Sequence, residues 1–150
     1  MGMKWKSGKS SSVVRGNLED MRRETKERAH QHLFDEAESM LDLSQAMAPI
    51  DEGHLESAHR LETSERANGA HARIWIEPNA STDSDGNAAP GPYLEFIHFG
   101  SYKLGPKSQA KDAAQIENVG PLFLQRAYER RRKILEKKLA ETLGQIIQRS

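Results

Sequence analysis

The sequence is informative first for what it lacks. None of its 150 residues is a cysteine, which excludes disulfide bonds, thiolate zinc sites, CxxC redox chemistry and a cysteine nucleophile. No apolar run approaches the roughly 18 residues that a membrane-spanning helix needs, and the first residues do not have the apolar core of a signal peptide. We therefore expect a chain that is soluble and cytosolic at synthesis and that makes no contact with a membrane.

The sequence also has no net charge, because 22 lysine and arginine residues balance 22 aspartate and glutamate residues. Bulk charge therefore gives no argument for nucleic-acid binding. The charges are nevertheless segregated along the chain. Residues 18–65 carry an acidic excess, whereas the last predicted helix is basic. A chain of this kind can pair head to tail with copies of itself, which is the type of interface that closes rings.

Hydrophobic periodicity predicts a long helix near each end of the chain. The first runs from Leu18 to Met47 and has a narrow apolar stripe in its second half. Pro49 ends it, because a proline disfavours the helical conformation in the residue before it. The second helix runs from Pro121 to about Gln148, with an apolar residue at every third or fourth position and a proline in the first turn.

Between the helices the pattern predicts three strands and two long loops. The strands are Leu55–Ser64, Ala70–Pro78 and Pro92–Phe99, of which the third is apolar on both faces and so is central in a sheet or covered by a partner. The loops are the irregular stretches 79–91 and 100–120, and loops of this length usually bind something or order on assembly. The predicted fold is α+β, with the helices covering a small, mostly antiparallel sheet of three to four strands.

We divide the chain into a flexible basic N-terminal tail, residues 1–15, and a single α+β domain, residues 16–150. The tail is rich in lysine and serine and contains no acidic residue, a composition typical of disordered termini. Val13 and Val14 could form a short strand at its end.

The motifs of common enzyme and metal sites are missing. The sequence has six histidines, but His30 and His32 lie about 200° apart on a helix and cannot bind one ion together. His71 and His98 could approach across the sheet, yet the sequence supplies no third ligand. There is no GxSxG motif and no phosphate-binding GxxxxGK[ST] loop. We expect a protein that is not an enzyme and that has no metal or other cofactor.

The run Arg130–Lys133 is the strongest remaining candidate for a binding surface. Together with the basic tail it could contact the phosphates of DNA, which would make the chain a small DNA-binding module. The alternative is a solvated or interprotein face, because the whole run lies on an otherwise amphipathic helix.

Three local patterns occur in a fixed order: one at the end of the first helix, one in the third strand and one at the start of the last helix. They are Pro49-x-Asp51-x-Gly53-x-Leu55, Tyr93-Leu94-Glu95-Phe96-Ile97-His98-Phe99-Gly100-Ser101 and Phe123-Leu124-x-x-Ala127. In this order, over about residues 16–149, the chain resembles the small neck or tail-completion proteins of long-tailed double-stranded DNA phages, tail components of the gene-product-ten type. The chain departs from the family pattern at Glu52, His98, Ser101 and Arg126, where the family has Thr, Glu, Thr and Pro.

The resemblance implies a structural virion protein that forms a homo-oligomeric ring, a hexamer in preference to a dodecamer. Its place would be the head–tail junction of the virion, reached from the host cytoplasm during assembly. Its partners would be the portal adaptor or head-closure proteins, the tail terminator or tail tube proteins, and the double-stranded DNA that passes through the ring without sequence-specific contacts. A tail terminator that caps the tail tube is an alternative within the same class.

Within this hypothesis, the ring and partner surface is assigned to residues of the third strand, the loop 100–120 and the last helix. They are Tyr93, Phe96, His98, Tyr102, Lys103, Lys107, Arg130 and Arg131. For Tyr93, Phe96 and Phe99 the alternative is plain core packing. A second set of residues is assigned to structural turns: Pro49, Asp51, Gly53 and Gly100. Gly53 is expected to need the conformational freedom of glycine where the chain turns into the first strand.

Overall fold

The computed structural model describes residues 11–50, 54–77, 97–100 and 102–149. Their elements are helix α1 (Ser11–Met47), the short helix α2 (His54–Ser57), strands β1 (His59–Arg66) and β2 (Gly69–Ile76), helix α3 (Pro106–Ala114) and helix α4 (Phe123–Arg149). The fold is a mixture of helix and strand, with a long helix at each end and an antiparallel two-stranded sheet between them. This confirms the predicted order of helix, strands and helix.

α1 is longer than predicted. It begins at Ser11, so Val13 and Val14 are helical instead of forming a short strand, and the helix crosses the predicted boundary at residue 15. Two β-branched residues are weak evidence for a strand when the residues that follow favour a helix. The C-terminal end was predicted correctly, because α1 stops at Met47, two residues before the buried Pro49.

α4 lies antiparallel to α1 and packs along it. His32 Nε2 and Thr142 Oγ1 are 2.8 Å apart, and Arg149, at the end of α4, lies 3.6 Å from Glu24. As the residue number increases along α1, the number of the contacting residue on α4 decreases, so the two helices run in opposite directions. The predicted final helix, Pro121 to about Gln148, agrees with α4 to within two residues.

β1 and β2 form a hairpin in which His59 pairs with Ile76 and Arg66 pairs with Gly69. The prediction of a strand over Ala70–Pro78 is confirmed by β2 up to Ile76, and Pro78 lies outside the described residues. The predicted strand Leu55–Ser64 begins later, at His59, because Leu55 belongs to α2 and turns its side chain into the core.

The prediction of three to four strands is not confirmed. Within the residues that the structure describes, the sheet has only β1 and β2. The proposed third strand, Pro92–Phe99, is partly wrong, because residues 97–99 are helical; residues 92–96 and the hairpin loop predicted over 79–91 lie outside the described residues.

The prediction of an irregular stretch over residues 100–120 is also wrong in its middle, where α3 forms. Pro106 occupies the first turn of this helix, and alanine, lysine and glutamine, which favour helices, fill most of the rest. Its one buried residue is Ser108. α3 has no apolar stripe, and for that reason periodicity did not reveal it.

The core lies where the end of α1, the short α2, the end of β2 and the start of α4 meet. Phe123 is fully buried at its centre, and Leu55 is 1% exposed. The other buried members of the cluster are Met47, Ala48, Ala58 and Ile76, and the half-buried Leu43, Ile97 and Leu124 pack against it. The core thus holds α1 and α4 together at one end of the helix pair. At the other end, the described residues form no apolar cluster of this kind.

Candidate interaction surfaces

α3 is fastened to the turn that follows α1. The Ser108 hydroxyl accepts a hydrogen bond from the Ile50 amide at 2.9 Å and donates one to the Ile50 carbonyl at 3.0 Å. Just beyond α3, the Gln115 amide donates to the Ala46 carbonyl at 2.6 Å. The middle of the stretch 100–120 is therefore hydrogen-bonded to the end of α1 and to the turn that follows it. The side chains that form these bonds are polar, and from the sequence alone they would be expected in solvent.

Lys111 completes this attachment. Its ammonium group donates to the carbonyls of Gln45 and Ala48 at 2.7 and 2.9 Å and forms an ion pair with Glu56. The last carbonyls of a helix have no partner within the helix, and they carry the negative end of its dipole. Lys111 thus caps the C-terminus of α1, and its side chain is only 12% exposed.

The predicted interface residues His98 and Tyr102 both stabilise the segment before α3. The Tyr102 hydroxyl donates to the Ile97 carbonyl at 2.9 Å, and its partial burial raises its pKa. His98 lies edge-on to Phe123, with ring centroids 4.9 Å apart, and its burial lowers its pKa. The Nδ1 atom of His98 is buried and has no hydrogen-bond partner among the described residues.

The remaining predicted loop residues lie at the surface. Lys103 and Lys107 are exposed, and Gly100 is half-buried. Phe99, which was weighed between interface and core, is 70% exposed, and Ile116 is 95% exposed. Four further predicted positions, Tyr93, Phe96, Asp51 and Gly53, lie outside the described residues.

The basic run of α4 is largely paired within the chain. Arg130 forms an ion pair with Glu117, Arg132 lies 2.7 Å from Glu136, and Arg131 reaches across to α1. Lys133 is exposed. Sequence reasoning grouped these four cations into one patch, whereas the fold gives the three arginines separate acidic partners.

Arg131 belongs to a buried ion cluster between the long helices. It lies 2.6 Å from Glu36, whose side chain is only 2% exposed, and Lys138 pairs with the other carboxylate oxygen. Burial alone would raise the pKa of Glu36, but the hydrogen bonds from Lys138 and Arg131 outweigh it and hold the pKa below its usual value. Glu36 is therefore ionised at neutral pH and fixes the register of α1 against α4.

An apolar groove of about 530 Å³ lies above this cluster, between β2 and the two long helices. It is lined mostly by aliphatic and aromatic side chains of α1, β2 and α4, together with His98 and two arginines. The lining residues are Leu33, Glu36, Ala37, Met40, Ala72, Ile74, His98, Leu124, Gln125, Tyr128, Arg131, Arg132 and Leu135.

The described histidines His30 and His32 have different partners. His30 lies 3.1 Å from Glu65 on β1, whereas His32 meets Thr142 on α4, as the helical spacing predicted for two residues on different faces. Among the residues that the structure describes, no group of three or more histidines, aspartates or glutamates could hold a metal ion.

A serine–histidine pair that sequence reasoning missed lies inside the molecule. The His59 ring donates from Nδ1 to the Leu55 carbonyl at 2.8 Å, which leaves Nε2 to accept from the Ser44 hydroxyl at 2.9 Å. Both residues are at most 5% exposed, so a substrate has no access to the pair. Burial lowers the pKa of His59, and the pair serves to satisfy two buried polar groups.

Comparisons of the chain with protein-family models, with curated proteins and with solved structures found no match. Within its described part, none of the helices has the length and apolar character that a membrane crossing requires.

Proposed function

We propose that this chain is a structural subunit of a phage virion, which forms a ring at the head–tail junction and joins the portal–adaptor complex to the tail. The observation that carries the proposal is the ordered set of three motifs around Pro49, Phe99 and Phe123. These motifs coincide with structural transitions of the fold: the end of α1, the helical turn at 97–99 and the start of α4.

Residues in or next to all three motifs meet in the folded chain, which supports reading them as one set. The Leu122 amide donates to the His98 carbonyl at 2.7 Å, and the Gly120 amide donates to the Met47 carbonyl at 3.0 Å. The segments on either side of α3 are thus hydrogen-bonded together and to the end of α1. The described parts of the three motifs therefore meet at one corner of the fold, which favours a motif set over three coincidental short matches.

The surface also suits a protein that assembles. Several large apolar side chains are exposed at both ends of the molecule, among them Leu18, Phe99, Ile116 and Leu143. Exposed apolar surface of this kind often marks contacts with other proteins. The buried Ser44–His59 pair gives no argument for a hydrolase.

The DNA-binding alternative receives less support. Arg130, Arg131 and Arg132 each have an acidic partner within the chain, so phosphate binding would have to displace those partners. None of these contacts distinguishes a neck ring from a tail terminator. The experiment described next distinguishes the two.

The test is quantitative mass spectrometry of purified particles from the phage that encodes the chain, with the portal protein as internal standard. We expect about six or twelve copies per particle, as a ring on the single symmetry axis of the neck requires. When the phage is grown without the chain, the lysate should contain filled heads and finished tails that do not join. Tails of uncontrolled length would instead indicate a terminator. Absence from the particle, with DNA binding that weakens steeply with salt, would overturn the proposal.

A further inference from the structure

α1 extends well beyond the end of α4. Three cross-helix contacts define the register, since His32 meets Thr142, Arg28 donates to Gln145 at 2.9 Å, and Glu24 lies beside Arg149. α4 ends at Arg149, so residues 11–23 of α1 pass its last turn. This segment, which we call the arm, is about 13 residues and about 20 Å long at the rise of an α-helix.

The side of α1 that faces α4 continues along the arm as an apolar row. Leu18 lies 18 residues before Glu36, and Val14 lies 18 residues before His32. Eighteen residues make about five full turns, so each of these side chains points in the direction of its counterpart. Both counterparts contact α4, whereas Val14 is 45% exposed and Leu18 is 60% exposed. The arm therefore continues an established helix–helix interface beyond the helix that fills it.

A helix with such a face favours a further helix as its partner. The arm is the first part of the continuous helix α1, and most of the stability of a helix in a protein comes from packing of its apolar face. Val14 and Leu18 are spaced by four residues and form the side-by-side pair that a helix–helix contact buries.

The same chain carries a matching row on α4. Leu135, Leu139 and Leu143 recur at intervals of four residues, and Ile147 continues them. Leu135 lines the apolar groove, Leu143 is 48% exposed and Ile147 is 58% exposed. Thr142 and Ile146 are the buried residues at this end of α4, and the row lies beside them, about 100° around the helix.

We infer that the arm of one copy packs against the Leu139–Leu143 row on α4 of a second copy. The inference rests on the proposed ring and names the contact that builds it. Continuity with the α1–α4 interface indicates a helical partner, and the arm is as long as the last three to four turns of α4. Charge contributes little to the contact, because the arm has three bases and two acids and residues 136–149 of α4 also have three bases and two acids; the apolar side chains carry it.

The contact is heterologous, because it joins two different surfaces of the same chain. Each copy offers one arm and one row, so each copy can bind two neighbours. Repetition of such a contact closes a ring or continues as a filament, according to the rotation between copies.

The first experiment measures the mass of the full chain in solution by sedimentation velocity. Leu18→Asp and Leu143→Asp should each lower the self-association constant at least about tenfold, because each buries a charge in the apolar contact. Val13→Asp is the matched control: it lies on the same arm and is 48% exposed, but it points about 100° away from Val14. Circular dichroism verifies that all three variants retain their helices.

Mixing the variants tests the heterologous geometry. Leu18→Asp has an intact row and Leu143→Asp has an intact arm, so an equimolar mixture should form a dimer through one good contact and nothing larger. A monomeric wild-type chain, equal losses in the Val13→Asp control, or a mixture that stays monomeric would each overturn the inference. A change in helix content without a change in mass would show that these side chains stabilise the single chain instead of a contact between copies, which also overturns it.

The absence of cysteine permits a second, independent measurement. Leu18→Cys mixed with Leu143→Cys should give a covalent dimer with a short bismaleimide cross-linker, whereas either variant alone should give none. A cross-linked dimer of Leu18→Cys alone would indicate that two arms pair with each other and would refute the assignment.

The two proposals can fail separately. If the chain is present at ring stoichiometry in particles and Leu18→Asp particles assemble normally, the neck function stands and the contact is wrong. If the chain is absent from particles but the mixed cysteine variants still cross-link, the contact stands and the neck function is wrong.

Discussion

Removing Glu36 and removing its two cations should have unequal effects on stability, because only the carboxylate is deeply buried. The Glu36 side chain is 2% exposed, whereas Arg131 and Lys138 are 25% and 40% exposed. If the carboxylate is lost, both cations can turn to water. If the cations are lost, the carboxylate stays between the helices without compensation.

The expected magnitudes follow from this difference. Replacing Arg131 and Lys138 together by Met should cost about 3–5 kcal/mol, the usual cost of breaking a buried pair from one side. Glu36→Gln keeps a hydrogen-bond acceptor in place and should cost about 1–2 kcal/mol. In a chain of this length each kcal/mol corresponds to about 2–4 °C in the melting temperature.

Urea unfolding at neutral pH, followed by circular dichroism, measures both losses. The matched control replaces Arg132 and Lys137 by Met, one position before or after each tested cation. These two form exposed pairs with Glu136 and Glu141, so their removal should cost at most about 1 kcal/mol.

A third variant isolates the buried charge. Adding Glu36→Gln to the doubly substituted chain should restore part of the lost stability, because it removes the uncompensated carboxylate. If the Arg131 and Lys138 double variant loses no more stability than Glu36→Gln, or if the triple variant is the least stable of all, the reasoning on burial is refuted.

Three further predictions concern the core, the cap of α1 and pH. Phe123→Ala should cost about 3–5 kcal/mol in urea unfolding, because it empties the centre of the core; a loss below about 1 kcal/mol would contradict that position. Lys111→Met should destabilise the end of α1, and amide hydrogen exchange should rise at residues 45–50 more than in the middle of the helix. The free energy of unfolding should fall as the pH drops below 6.5, the ordinary pKa of histidine, because burial lowers the pKa of His59 and the unfolded chain takes up the proton first. His59→Gln should reduce this slope in urea titrations at pH 7 and 5, and an unchanged slope would assign the pH dependence to other groups.

The elements that the sequence predicts well are those with a local signal. The stop at Pro49 depends on proline chemistry within two residues, and α4 depends on an apolar repeat sustained over 27 residues. β2 alternates between apolar and polar side chains from Ala70 to Ile74. In each case, residues close together in the sequence are enough to predict the element.

The features that sequence reasoning missed depend on partners far along the chain. α3 is held by Ser108 and Lys111 through backbone carbonyls and amides near residues 45–50, and polar anchors of this kind leave no apolar period. Glu36 resembles the acidic residues around it, and only the approach of α4 buries it. His98 was assigned to an interface as a residue of the third predicted strand, and its ring packs on Phe123.

The contacts also change the reason for expecting assembly. Sequence reasoning based self-association on an acidic early region and a basic last helix. The fold joins these regions within one chain, since Glu24 meets Arg149 and Glu36 meets both Arg131 and Lys138. Part of the segregated charge is therefore explained by the packing of α1 on α4 and needs no second copy. Among the described residues, the exposed apolar side chains near this interface are Val14 and Leu18 on the arm and Leu143 and Ile147 on α4. Because salt screens exposed charges but not apolar contacts, assembly through these surfaces should persist at ionic strengths that would dissolve a charge-driven ring.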